Sequence, residues 1–192
     1  MQLIGLFSDD WKIHFSPTEH ASGDLQEKAG KLEGKIWEKA FPLPAHTEVA
    51  VFLESMLSGK DFFPAEFRRY SRLGTDRAES LHFAFELAFE KGYRHFVFVQ
   101  TIVPNSSTEI LHRALLELQA HDVVMAPDED GSAPVFGINV RAFERWSQFE
   151  LMKPEIVVEM LSDCHSLNLK SKLLPEVLAR RAWDSFGEKL RS

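Results

Sequence analysis

Two aspartates one residue apart, Asp128 and Asp130, stand in the acidic segment Pro127-Asp-Glu-Asp-Gly131, directly after the apolar run Val123-Val-Met-Ala126. Carboxylates at this spacing can both reach a hard divalent cation, Mg²⁺ or Mn²⁺, which prefers oxygen ligands and can bridge a diphosphate. Asp128 and Asp130 are therefore candidate metal ligands, Asp130 is the candidate catalytic carboxylate, and Gly131 is a candidate cofactor-binding residue. The same residues admit a plainer reading: Asp-Gly is a strong turn dipeptide, and the loop can simply join two strands. Asp76 and Glu79 form a second acidic pair. They are candidate cofactor-binding residues, and helix capping explains them equally. Thr101, another candidate for cofactor binding, and Asn105 follow an apolar run where α/β folds receive ligands. Ser8-Asp9-Asp10, Lys12 and His14 follow the first apolar run. Two acids there repel a diphosphate unless a cation intervenes.

Other chemistry is excluded by what is missing. The sequence holds neither Gly-x-Gly-x-x-Gly nor Gly-x4-Gly-Lys-Ser/Thr, so it has no dinucleotide fingerprint and no P-loop. It lacks Gly-x-Ser-x-Gly, which counts against an α/β-hydrolase. Its eight histidines are scattered, with no His-Glu-x-x-His. Cys164 is the one cysteine, which rules out an internal disulfide and suits a small buried thiol. A net charge of -7 argues against nucleic acid or an anionic membrane as partner. Arg68-Arg69 and Arg180-Arg181 read as solvated helix faces. No window reaches the roughly 18 apolar residues of a membrane span. We expect a soluble cytoplasmic protein.

The elements that must position these groups alternate along the chain. With 192 residues, 44% of them hydrophobic, the composition suits one globular domain spanning 1–192. Leu3–Phe7 predicts a first strand and Asp24–Ala40 an amphipathic helix ended by Phe41-Pro-Leu-Pro44. Glu48–Glu54 predicts a second strand. Residues 55–73 are ambiguous, with a short helix around Ala65–Tyr70 as one reading. Thr75–Lys91 predicts a helix capped by Asp76 and Glu79 and closed by Gly92. Phe96–Val99 lacks alternation, as in a strand buried on both faces of a parallel sheet. A helix from Ser106 to Gln119, strands at Val123–Ala126 and Val135–Val140, and helices at about 155–162 and 176–190 complete the chain. The fold class is α/β: a single domain with a mostly parallel central sheet and helices on both faces.

The order of motifs resembles the small bacterial glycosyltransferase-like proteins of the nucleotide-diphospho-sugar transferase (GT-A) superfamily, often described as radical-SAM/selenodomain-associated transferases. The likeness is best from Gly74 to Gly137. The family's Gly-Asp-Leu-Gly-Glu-Arg-Met-x-x-Ala-Phe reads here Thr75-Asp-Arg-Ala-Glu-Ser-Leu-His-Phe-Ala-Phe85. Its strand end Gly-Ser/Thr-Asp-Cys-Pro reads Gln100-Thr-Ile-Val-Pro104. Its Asp-Val-Val-x-Gly-Pro-x-x-Asp-Gly-Gly-Tyr reads Asp122-Val-Val-Met-Ala-Pro-Asp-Glu-Asp-Gly-Ser-Ala133. The resemblance implies a GT-A fold, a nucleotide-diphosphate sugar as ligand, and a divalent cation. The chain departs from the pattern at three places. Ile102 replaces the strand-end Asp, the basic loop after the first strand is missing, and Gly-Gly-Tyr becomes Gly131-Ser-Ala133.

Two readings of function follow. One is a divergent glycosyl or nucleotidyl transferase, with a metal at Asp128 and Asp130 and the nucleotide over the strand ends at Phe7 and Val99. The other is a catalytically silent relative that keeps the fold for binding, as a scaffold or a homodimer. Exposed members of Trp11, Phe62, Phe63, Trp146, Phe149 or Trp183 would form its partner surface.

Overall fold

The computed structural model describes residues 1–7, 43–53, 63–99, 107–146 and 155–175. The predicted helices at 24–40 and 176–190 lie outside these residues. So do Trp11, Phe62, Phe149 and Trp183.

Seven strands form one sheet in the order β3-β2-β1-β4-β6-β5-β7. They are β1 Gln2–Phe7, β2 Thr47–Leu53, β3 Arg68–Ser71, β4 His95–Val99, β5 Val123–Ala126, β6 Val135–Asn139 and β7 Ser171–Leu173. Only β6 runs against the rest, pairing antiparallel with both β4 and β5. The remaining pairs are parallel, so six strands deliver their carboxyl ends to one edge. Helix α1 is Arg77–Glu90, α2 is Ser107–Glu117, α3 is Val140–Phe143 and α4 is Ile156–Ser166.

The strands form where apolar residues face helices on both sides. Every residue of β1 is buried. Leu3 and Phe7 join one core cluster with Phe85 of α1 and Met160 of α4. Ile4 and Leu6, pointing the other way, join a second cluster with Leu111, Leu115 and Leu118. The period-2 alternation of a strand thus divides β1 between two helical layers. The first core is aromatic. Phe85 meets Phe96 edge to face at 4.8 Å and Phe7 meets Phe98 at 5.0 Å.

Helix α1 begins and ends as its sequence predicts. Asp76 accepts from the Glu79 amide at 2.8 Å. The Glu79 carboxylate accepts from the Thr75 amide at 2.6 Å and the Thr75 hydroxyl at 2.7 Å, one residue earlier than the usual reciprocal bond. At the other end Gly92 N–H donates to Phe89 O and Tyr93 N–H donates to Ala88 O, a Schellman closure.

Residues 65–70 are not a helix. The chain turns at Pro64, where Phe67 N–H donates to Pro64 O, and then pairs with β2 as the edge strand β3. Arg69 holds that turn by donating to the carbonyls of Phe63, Pro64, Ala65 and Phe67. Arg68 donates to Glu48 at 2.8 Å. Neither arginine lies on a helix face. Trp146 is buried in the aromatic core, and Phe63 packs partly buried against the second cluster. Neither supplies an exposed aromatic patch.

Candidate functional site

The carboxyl edge of the sheet carries two chemically opposite groups. One is acidic and sits over β5 and β6. After Ala126 the chain makes a compact loop. Asp128 N–H donates to Ser132 O and Gly131 N–H donates to Asp128 O, each at 2.9 Å. Both aspartate side chains serve the loop. Asp128 Oδ1 accepts from the Glu129 amide and Asp130 Oδ1 from the Ser132 amide, each at 2.9 Å. Asp128 is buried and Asp130 half-buried. The loop is pinned to α4, because Glu155 N–H donates to Asp130 O and Val157 N–H donates to Gly131 O. Gly131 makes that contact possible. Its φ is +78, and a Cβ there would sit 2.9 Å from Glu155 Cα.

Two carboxylates in one loop offer the kind of oxygen donor that a hard cation prefers. No group of three or more His, Cys, Asp or Glu side chains able to hold a metal occurs among the described residues. Water or other oxygen ligands would have to complete the shell, as is usual for Mg²⁺.

The second group is basic and sits over β1 and β4. The Arg72 guanidinium lies 4.8 Å from the centroid of the Phe7 ring. That of Arg77 lies 5.4 Å from the same ring and 5.7 Å from Phe98. Both side chains are half-buried. Phe7 and Val99 end their strands, so the two cations lie at the carboxyl edge. Three features bring them together. Arg72 N–H donates to Leu53 O at 2.8 Å, extending the β2–β3 ladder by one rung. Gly74, at φ +110, turns the chain back so tightly that a Cβ would lie 2.6 Å from Ser80 N. Buried Ser80 then accepts from Arg72 Nε at 3.1 Å while its hydroxyl donates to Asp76 O at 2.6 Å. At about 10 Å, the widest separation those ring distances allow, the two charges repel by on the order of 1–2 kcal/mol at an effective dielectric near 20. The shared aromatic face offsets part of this.

The family is set by residues 43–153, which match the model of "Uncharacterized protein conserved in bacteria (DUF2064)". The chain belongs to the DUF2064 family. No curated protein matches it. Its fold is that of nucleotide-diphospho-sugar transferases. A candidate nucleotide-diphospho-sugar transferase from Desulfovibrio desulfuricans G20 superposes with a TM-score of 0.68 at 16% identity, over 91% of this chain and 80% of that one. A cytidylyltransferase from Leptospira borgpetersenii gives 0.51 at 12% identity, over 91% and 75%. The Rv0371c homologue from Mycobacterium sp. strain JC1 gives 0.57 at 9% identity, over 98% and 96%.

Of the residues singled out in the sequence, Asp128, Asp130 and Gly131 come together in one loop. Asp76 and Glu79 cap α1, beside Arg77. Their carboxylates serve amides of the helix start, and the Thr75 amide and hydroxyl hold the Glu79 carboxyl below its ordinary range. Thr101, Asn105, Ile102, Lys12 and His14 lie outside the described residues. Arg72 and Arg77 escaped the sequence reading. The signal for them was a pair of arginines flanking Gly74 between a strand and a capped helix.

Proposed function

We propose that this DUF2064 chain binds a nucleotide-diphosphate sugar across the carboxyl edge of its sheet and transfers a sugar or nucleotidyl group from it. The observation that carries this reading is the arrangement along that edge. An arginine pair covers β1 and β4, and an acidic loop begins two strand spacings away, about 10 Å. The acidic loop supplies Asp128 and Asp130 as ligands for Mg²⁺ or Mn²⁺. Such a cation offsets diphosphate charge and stabilises the leaving group. The arginines attract the same diphosphate through charge-assisted hydrogen bonds. The transfer itself would use Asp130 as its catalytic carboxylate, with Asp76, Glu79, Thr101 and Gly131 as the residues for the nucleotide.

A catalytically silent relative is the second reading. It is favoured by one observation: Asp128 and Asp130 each spend an oxygen on a loop amide.

Thermal unfolding against UDP, GDP, CDP and their sugars, with and without Mg²⁺ or Mn²⁺, separates ligand binding from its absence. A bound ligand at a hundred times its Kd stabilises the native state by about 2.7 kcal/mol. No shift with any nucleotide would overturn the binding claim. A shift without turnover in the presence of acceptors would favour the silent relative.

A further inference from the structure

We infer that the groove between the edge strand β3 and helix α1 docks an extended, basic segment of a partner protein, which adds to β3 as a further strand. The inference stands apart from the nucleotide reading. Among the described residues β3 pairs with β2 alone and ends the sheet. Arg72 N–H bonds Leu53 O, so Ser71, one residue earlier, turns its N–H and C=O away from β2. Beside Ser71 lies an open groove of about 420 Å³, lined by Phe52 and Leu73 and, on α1, by Phe83, Glu86, Leu87 and Glu90. Leu73 is 58% exposed, and half-buried Phe83 belongs to neither core cluster. Apolar surface rimmed by charge marks an interaction site.

Charge identifies the occupant. Glu86 and Glu90 are both exposed and stand four residues apart on α1, where like charges repel. Glu90 also ends the helix, where the macrodipole disfavours an anion, and the last turn holds no basic residue. Lys91, the next residue, sits over the Tyr70 ring at 5.4 Å. Neither glutamate has an ion-pair partner among the described residues. Cations brought by a partner remove both penalties. Length fits as well. The groove follows α1 from Ser80 to Glu90, about 15 Å of helix. That equals about five residues of extended chain. Side chains two apart in a strand share a face. An apolar residue flanked at that spacing by two basic ones therefore presents all three to α1. Main-chain bonds to β3 supply affinity, and the groove with its two carboxylates supplies specificity.

The test is titration of the full chain with the peptide acetyl-Thr-Lys-Thr-Leu-Thr-Lys-Thr-amide, followed by NMR and fluorescence anisotropy. The peptide should bind saturably, shift the amides of β3 and of residues 83–90, and protect the Ser71 amide from exchange. Its counterpart with Glu for Lys should not bind. Glu86→Gln with Glu90→Gln should weaken binding at least tenfold and raise the melting temperature of the free chain. Glu109→Gln with Glu144→Gln removes the same charge from exposed positions outside the groove and should change affinity less than threefold. Ser71→Pro deletes the outward amide where an edge strand tolerates proline, and should weaken binding at least tenfold, while Ser71→Ala should not. Where Ser71→Pro fails to fold, exchange protection of the wild-type Ser71 amide decides the strand pairing. Absence of saturable binding would overturn the inference. So would equal losses in the groove pair and the control pair, since that is charge attraction alone, and so would binding that leaves Ser71 unprotected. A chain that dimerises through β3, and loses the dimer with Glu86→Gln and Glu90→Gln, would assign the groove to a second copy and overturn it too.

Discussion

Asp122 fastens the strands that carry the acidic loop, and replacing it with asparagine should loosen them measurably. The residue is 6% exposed and precedes β5. Its carboxylate accepts from Asn139 Nδ2 at 3.0 Å and from the Lys170 amide at 2.9 Å. Its backbone joins the same two segments, donating to Lys170 O and accepting from Asn139 N–H. β5, β6 and β7 therefore meet at one side chain. Asparagine keeps one acceptor oxygen and turns an NH₂ toward the other donor. One hydrogen bond to a charged group disappears, worth about 1.5–3 kcal/mol, and a buried donor is left unmatched. We expect Asp122→Asn to lose about 2–4 kcal/mol at neutral pH, read as a lower urea midpoint at unchanged m-value. The pH dependence supplies a sharper check. Burial alone would raise the Asp122 pKa, but the Lys170 amide and the Asn139 side chain outweigh it, and the carboxyl sits below its ordinary value. A depressed pKa gives stability that is complete above the unfolded value, near 3.9, and is lost as pH falls through the folded one. The gap between wild type and Asp122→Asn should accordingly be widest at neutral pH and shrink below about pH 4. A gap of equal size at both pH values would refute the reasoning, because the ionised carboxylate would then contribute nothing specific.

Other consequences are open to simpler measurement. Gly131→Ala places a Cβ 2.9 Å from Glu155 Cα on a backbone at φ +78, so it should cost about 2–3 kcal/mol and lower the melting temperature by several degrees; an unchanged melting temperature would show that the loop yields freely. Burial first, and then the Glu48 hydrogen bond, push Tyr93 up to about 12, and burial raises Tyr70 too. The chain has two tyrosines, so native tyrosinate absorbance should stay low at pH 10 and rise only on unfolding or at higher pH; half-titration near pH 10 would contradict the packing of both. Burial pushes the Cys164 thiol up to about 11, so a thiol reagent at pH 8 should label it only after denaturant is added. Rapid labelling of the native protein would mean that α4 opens readily.

Most of this fold is legible residue by residue because its signals are local or cover both faces of a strand. Phe96–Val99 and Val123–Ala126 show unbroken apolar runs, and the structure buries all of them. The start of α1 is written in Asp76 and Glu79, and both side chains bond there. What escaped depends on partners far away. β3 has four residues, none of them buried, so neither alternation nor an apolar run marks it. The reversed direction of β6 has a signal that was available. Residues 127–134 join β5 to β6 without a helix, and adjacent parallel strands need a crossover of about a dozen residues or more. So short a link predicts antiparallel pairing. The arginine pair was hidden for another reason. Arg72 and Arg77 become one group only through Phe7, some seventy residues away, and no spacing rule along the chain joins them.

Charge along the carboxyl edge ties the departures in the sequence to the geometry. Relative to the pattern it resembles, the chain has Ile102 where a carboxylate is expected and lacks a basic loop after β1. Taken alone, the missing loop removes cations that a diphosphate needs. The structure supplies two from another direction, the turn between β3 and α1. Within the motif, Arg77 stands where the pattern has Leu and Ser80 where it has Arg, so cationic charge there is moved and not added. A ligand laid along the edge would meet cations at β1 and β4 and carboxylates at the β5–β6 loop. Under the proposed function, the phosphates of a nucleotide-diphosphate ligand would lie between these two groups.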